Sequence, residues 1–143
     1  MSLKTIEAAS EKEIQDALSI RKLVFVGEQQ ISQELEFDGL DDECIHFVGY
    51  SNSEPISAGR LRISNDKGKV QRICVLKDFR GLDAGKQIME KIHQTAKEHN
   101  VSQLVLNAQE TAIPFYEKLG YTISSDFFYE AGIRHAEMTF NLN

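Results

Sequence analysis

Residues 70–99, VQRICVLKDFRGLDAGKQIMEKIHQTAKEH, decide the fold. The first part, VQRICVL (70–76), is a β-like run. Ile88, Met89, Ile92 and Ala96 then recur at helical spacing, so KQIMEKIHQTAKEH (86–99) is read as a helix. Lys97 falls in its last turn, where a cation suits the dipole. Between strand and helix lies RGLDAGK (80–86). Such a junction gathers unpaired backbone N–H groups at the positive end of a helix dipole, a site suited to phosphate. Glycines let the backbone approach an anion with no Cβ in the way. Arg80 and Lys86 add positive charge, whereas Asp83 stands where a third glycine is more usual. The loop is neither GxGxxG nor GxxxxGK[ST], so by itself it reads either as an anion cradle or as a plain turn.

Outward from this stretch the elements alternate in type. A short strand (LKTIEA, 3–8) precedes Ser10 and Glu13, whose spacing is that of a capping box. Ile14, Ala17, Leu18, Val24 and Phe25 mark one face of the helix that follows, and Arg21 falls on that face, where it either snorkels to solvent or lines a polar groove. Residues 28–43 hold seven acids and no base, which suits a solvated loop or the entrance for a cationic substrate. CIHFVGY (44–50), PISAGRLRIS (55–64) and GKVQRICVL (68–76) form an antiparallel meander. After the 86–99 helix, SQLVLNA (102–108) reads as a strand covered on both faces. Thr111 is placed to cap a short helix, IPFYEKL (113–119), which Gly120 ends. YTISSDFFYE (121–130) and IRHAEMTFNL (133–142) flank Ala131-Gly132 as a hairpin.

The 143 residues suit one domain, 1–143, and 41% apolar residues suffice for a core. A net charge of −6 argues against nucleic acid as a partner, because that binding rests on Lys and Arg neutralising phosphates. No apolar run approaches a membrane span, and no leader pattern opens the chain. Cys44 and Cys74 are too few for a disulfide framework and lack metal-ligand spacing, so the expectation is a cytoplasmic protein with reduced thiols and no metal.

The run VLKDFRGLDAGK (75–86), followed some 25 residues on by NAQETAIPFYEKLGY (107–121), resembles the GNAT superfamily of acyl-CoA-dependent N-acyltransferases. The first block is similar to that family's R/Q-x-x-G-x-G/A pyrophosphate loop, with Arg80 and Gly85 at its ends. The second is similar to its Asn-bearing strand and the helix beyond. RKLVFVGEQQ (21–30) and EFDGLDDECIHF (36–47) resemble the small ElaA-like branch. The likeness implies an α/β (α+β) fold: a single mixed, mostly antiparallel sheet of six to seven strands, about four flanking helices, and a splayed pair of parallel central strands.

It also implies roles. Ile73 and Val75 would lie on the strand whose backbone pairs with the pantetheine arm of acetyl-CoA. The N–H groups of Gly81, Leu82, Asp83, Ala84, Gly85 and Lys86, with Arg80, would hold the pyrophosphate. Asn107 would meet the pantetheine or the helix that follows. Tyr116 matches the tyrosine that faces the CoA sulfur and protonates the departing thiolate; a phenol near its normal pKa stays protonated at neutral pH and can donate. Glu28 and Gln29 match an EQ pair of the branch and stand as substrate-groove candidates beside Arg21 and Arg72. For the base that takes the amine proton, Glu28, Glu34, Glu36, His46 and a water chain are all open. Cys74 invites a covalent acyl-enzyme, which the family's direct transfer does not need.

The resulting expectation is an N-acetyltransferase that joins acetyl-CoA and a primary amine, small-molecule or peptide, in a ternary complex. The alternative is a non-catalytic acyl-CoA-binding or sensing module on the same fold, because Asp83 would oppose a pyrophosphate. The C-terminal hairpin offers an edge for a homodimer.

Overall fold

The computed structural model describes residues 3–142. Eight strands build one sheet: β1 Leu3–Glu7, β2 Ile45–Ser51, β3 Glu54–Ser64, β4 Lys67–Val75, β5 Gln103–Gln109, β6 Thr122–Ile123, β7 Phe128–Glu130 and β8 Ile133–Asn141. Its order is β1-β2-β3-β4-β5-β8-β6, with β7 also on β8. Every pair is antiparallel except β4–β5. The helices are α1 Glu11–Arg21, α2 Gln33–Glu36, α3 Ala84–Glu98 and α4 Ile113–Lys118.

Local chemistry sets the ends of these elements. Ser10 and Glu13 form the reciprocal capping box at the start of α1. Past Arg21 the helix widens into a π-helical stretch, Lys22–Glu28. Asn52 and Ser53 (φ +50° and +72°) make the tight turn between β2 and β3, and Ala131 and Gly132 (φ +52° and +75°) that between β7 and β8. Thr111 does not cap α4: it lies in a 3-10 turn, and the helix starts after Ala112 with no side-chain cap. Residues 121–130 form two short strands rather than one. Between them, Ser124 N–H donates to the Glu137 carbonyl, and Ser125 Oγ accepts from Glu137 N–H.

Two apolar layers sandwich the sheet. On one face α3 and α4 bury Ile88, Met89, Ile92 and Tyr116 against Phe47, Leu61, Val70, Leu104, Leu106 and Met138. On the other, α1 and the π-helical stretch bury Ala17, Ile20, Val24 and Phe25 against Val48, Ala58 and Cys74. This second cover reaches β2, β3 and β4, and residues such as Asn107 on β5 stay exposed.

The pairing of β4 with β5 runs only from Lys67↔Gln103 to Val70↔Leu106. Beyond it, β4 stays with β3 to Val75↔Ser57 and β5 stays with β8 to Gln109↔His135. The two strands therefore part, and each leaves a backbone edge unpaired toward the other. A bulge on β4 sharpens the parting. Residues 72 and 73 oppose Gly59 alone, and Arg72 takes a left-handed φ of +62°.

Candidate active site

The gap between β4 and β5 opens into a cleft of about 950 Å³. Its walls include Ile73, Cys74 and Val75 from β4, Asn107 and Gln109 from β5, Arg80, Gly81, Asp83, Ala84, Gly85 and Lys86 from the loop before α3, and Phe115 and Tyr116 from α4. Gln29, Ile31 and Glu36 overhang it from the segment after α1. Strand divergence thus gathers residues that lie far apart in the sequence.

At the loop, Gly81 (φ +79°) and Asp83 (φ +68°) both adopt left-handed backbone, which glycine and aspartate tolerate best. The chain thereby turns so that residues 81–86 donate their N–H groups to no acceptor among the described residues. Six donors thus stand in a row at the start of a fifteen-residue helix, and Gly81, Asp83, Ala84, Gly85 and Lys86 among these residues line the cleft. Gly85 has a different reason to be glycine: a Cβ there would come within 3.3 Å of the Phe115 ring. Asp83 makes no side-chain hydrogen bond or ion pair among the described residues. Arg80 folds away from the loop. Its Nε donates to the Val75 carbonyl (3.0 Å), and its two terminal nitrogens grip both oxygens of Glu28 (2.8 and 2.6 Å). That pair holds the Glu28 carboxyl below its usual range.

Tyr116 is 8% exposed, and its hydroxyl has no hydrogen-bond partner among the described residues. Burial, with the nearby Cys74 sulfur, pushes the phenol above its ordinary range, so it is protonated at neutral pH. Burial likewise pushes the Cys74 thiol up to about 12. A thiol so held is not a thiolate at neutral pH, and Cys74 is packing rather than a nucleophile.

The acidic segment differs most from expectation. It is a solvated loop only in part: Glu34, Asp42 and Glu43 are exposed and form no ion pair among the described residues, whereas Glu36, Asp38 and Asp41 are tied to arginines. Arg21, wholly buried, binds Glu36 (2.8 Å) and Asp41 (2.7 Å), and so does not line the groove. Arg60, equally buried, binds Asp38 (2.6 Å) and Asp41 (2.7 Å). Arg72 completes the set on Glu36 (2.8 Å) and Asp38 (3.3 Å). Three guanidinium groups thus neutralise three carboxylates. Arg60's hydrogen bond holds Asp38 well below the usual carboxylate range. Burial pushes Asp41 up, but Arg21 and Arg60 outweigh it and leave the group lowered.

The base candidates fall away with this network. Glu36 is saturated by two arginines, and Glu28 is taken by Arg80. His46 lies outside the cleft with Nε2 against the Asp41 carbonyl (2.8 Å), and Glu34 does not line the cleft either. Gln29 does reach it, where it accepts from Gln109 Nε2 (2.9 Å) across the gap. Asn107 donates to Glu130 (3.2 Å). Gln109, Phe115 and His135 were not singled out from the sequence; only the cross-strand register and the turn into α4 bring them here. Among the described residues no group of three His, Cys, Asp or Glu side chains is placed to hold a metal, and no helix is long and apolar enough to cross a membrane.

A family model described as an acetyltransferase (GNAT) domain matches residues 8–142. The chain is 41% identical over 137 residues to YjcF of Bacillus subtilis, named an uncharacterized N-acetyltransferase, covering 95% of this chain and 98% of YjcF. It is 31% identical to ElaA of Escherichia coli over 126 residues, covering 85% of this chain and 82% of ElaA. The crystal structure of ElaA superposes with a TM-score of 0.80 over 96% of this chain and 97% of ElaA, at 26% identity. One from Lactobacillus plantarum superposes over the whole of both chains with a TM-score of 0.91 at 30% identity. The chain belongs to the GNAT acetyltransferase family and is an acyl-CoA N-acyltransferase.

Proposed function

We propose that the chain transfers an acetyl group from acetyl-CoA to a primary amine by direct attack within a ternary complex. The observation that carries this reading is the parting of β4 from β5 onto six unpartnered N–H groups at the start of α3. Those donors, on residues 81–86, suit a pyrophosphate. The unpaired edge of β4 around Ile73 and Val75 suits an extended amide-bearing arm, which it would take up as it would another strand. Asn107 stands on the facing edge. Acetyl-CoA supplies an activated thioester carbonyl when bound.

Tyr116 is the acid in this reading. Its buried phenol keeps its proton at neutral pH and gives it to the departing sulfur, so no free thiolate need form in an apolar cleft. Gln29 and Arg72, at the overhanging lip, are the residues nearest to selecting the amine. Of the acids of residues 28–43, Glu28, Glu36, Asp38 and Asp41 are spent on arginines and offer no charge to select a cation.

Tyr116→Phe tests this. Thiol release with acetyl-CoA and an accepted amine should fall about 100-fold in kcat, with CoA affinity unchanged. Unchanged turnover removes Tyr116 from the reaction. The sensing alternative draws on Asp83, whose carboxylate has no cation beside it, and on Arg80, which is engaged by Glu28. Calorimetry separates the two: CoA binding without transfer to any amine supports the sensor.

A further inference from the structure

We propose that His135 is the general base that takes the proton from the acceptor amine; the assignment rests on the acetyltransferase reading above. His135 lies on β8 opposite Gln109, at the last paired position of β5. It is 7% exposed and lines the cleft. Its Nδ1 is 2.7 Å from the Ile133 carbonyl, an acceptor only, so Nδ1 carries the proton and Nε2 keeps the lone pair. Nε2 has no partner among the described residues and is not sealed from the cleft. Phe128 stacks on the ring (centroids 5.9 Å, planes 17° apart) and holds its orientation.

Strand alternation places this base opposite the acid. Ala136 and Met138 point into the layer of α3 and α4, where Tyr116 is packed, so His135 points to the other face of the sheet. That face is the open one beside Asn107 and Gln109. A thioester lying in the gap would have Tyr116 toward one side and His135 toward the other. An amine arriving over the open face meets the imidazole, while the sulfur leaves toward the phenol.

Other proton acceptors in the cleft are less suitable. Glu36 is held by two arginines, Glu130 accepts from Asn107 (3.2 Å), and Glu137 accepts from Ser124 (2.9 Å). Asp83 lies at the opposite, anion-binding end. An imidazole is also the side chain whose proton affinity best suits proton removal near neutral pH. The charged groups about His135 are Glu137 on its own strand, Glu130 on β7, and Glu110 in the turn after β5, which is tied to Arg134 (2.7 Å).

The protons and electrons balance. His135 Nε2 takes one proton from the ammonium, and the freed nitrogen lone pair forms the C–N bond at the thioester carbon. The C–S bond breaks, its electron pair goes to sulfur, and sulfur takes the Tyr116 proton. The new amide nitrogen returns its second proton to Tyr116, and the imidazolium releases its own to water.

The test uses the full chain with acetyl-CoA and the best acceptor among benzylamine, spermidine, an aminoglycoside and a lysine-bearing peptide. His135→Gln should leave the affinity for CoA within about twofold and lower kcat/KM for the amine about 100-fold at pH 7. Hydroxide-driven loss of the ammonium proton then replaces the base, so the deficit should shrink about tenfold per pH unit above neutrality. His135→Asn, whose amide can still donate to the Ile133 carbonyl, should show the same deficit and the same pH trend. A deficit that is constant with pH, or that His135→Asn restores, marks a structural role and overturns the assignment. Activity within twofold of wild type also overturns it. A wild-type chain that binds no CoA sinks the acetyltransferase reading and this proposal together. One that binds CoA and acetylates none of the amines supports the sensor and likewise sinks both, whereas a wild-type chain that acetylates an amine while the His135 variants give either overturning result sinks His135 alone.

Discussion

Two arginine–carboxylate assemblies, which reach the cleft through Arg72 and Glu36 and through Arg80, behave as opposites. Arg21 and Arg60 are wholly buried and, with Arg72, share Glu36, Asp38 and Asp41 as a closed set. Arg80 and Glu28 form one bidentate bridge, with side chains 42% and 39% exposed. The bonds are of similar length, so geometry does not separate them. Solvent does. In the buried set, each charge removed from water is compensated only by its partners, and losing one strands the others. In the exposed bridge, water replaces either partner at little cost. The first assembly pins the segment between α1 and β2 over the sheet; the second is free to exchange Glu28 for another anion.

Arg60→Met should break the comparison most visibly. It leaves Asp38 and Asp41 short of a cation and should cost about 3–5 kcal/mol, a melting temperature lower by roughly 10–15 °C. A loss below about 1 kcal/mol in denaturant titration would show that the set is not structural.

Acid should act on the same assembly next. Asp38 and Asp41 are held below their unfolded values. Their contribution is therefore complete above the unfolded carboxylate range, near pH 4, and is lost as pH falls through the lower folded values. Denaturation midpoints should be flat from pH 7 to 5 and fall below about pH 4. In Arg60→Met that fall should be shallower.

At the exposed bridge the readout changes from stability to ligand. Arg80→Ala should shift stability by no more than about 1 kcal/mol, yet weaken CoA about tenfold by calorimetry. The smallest effect is expected for Glu28→Gln. It frees Arg80 from a competing surface pair and should tighten CoA about two- to fivefold, with the gain shrinking as salt rises. Weaker binding instead would mean that Glu28 positions Arg80 rather than competes for it.

Much of this is legible in the sequence. The β-like run 70–76 and the helical stripe Ile88, Met89, Ile92 and Ala96 place the loop between them. The capping box at Ser10, the meander of β2 to β4 and the turn at Ala131-Gly132 all form. Tyr116 lines the cleft. What misled was the acidic segment. Charge counted along the chain cannot show that Arg21, Arg60 and Arg72 arrive from a helix and two strands to pair with Glu36, Asp38 and Asp41. His135 was invisible for a related reason: its place in the cleft follows from pairing with Gln109, a contact 26 positions back in the chain.

The sequence by itself determined the strand–turn–helix unit, because period, glycine and capping chemistry are local. It also determined the family, through residues whose spacing the loop and α4 require. Tertiary structure alone decided where β4 leaves β5, which acids are spent, and which histidine faces the open side of the sheet. Those depend on register and burial, and both are settled only when distant segments pack and compete for the same charges and the same space.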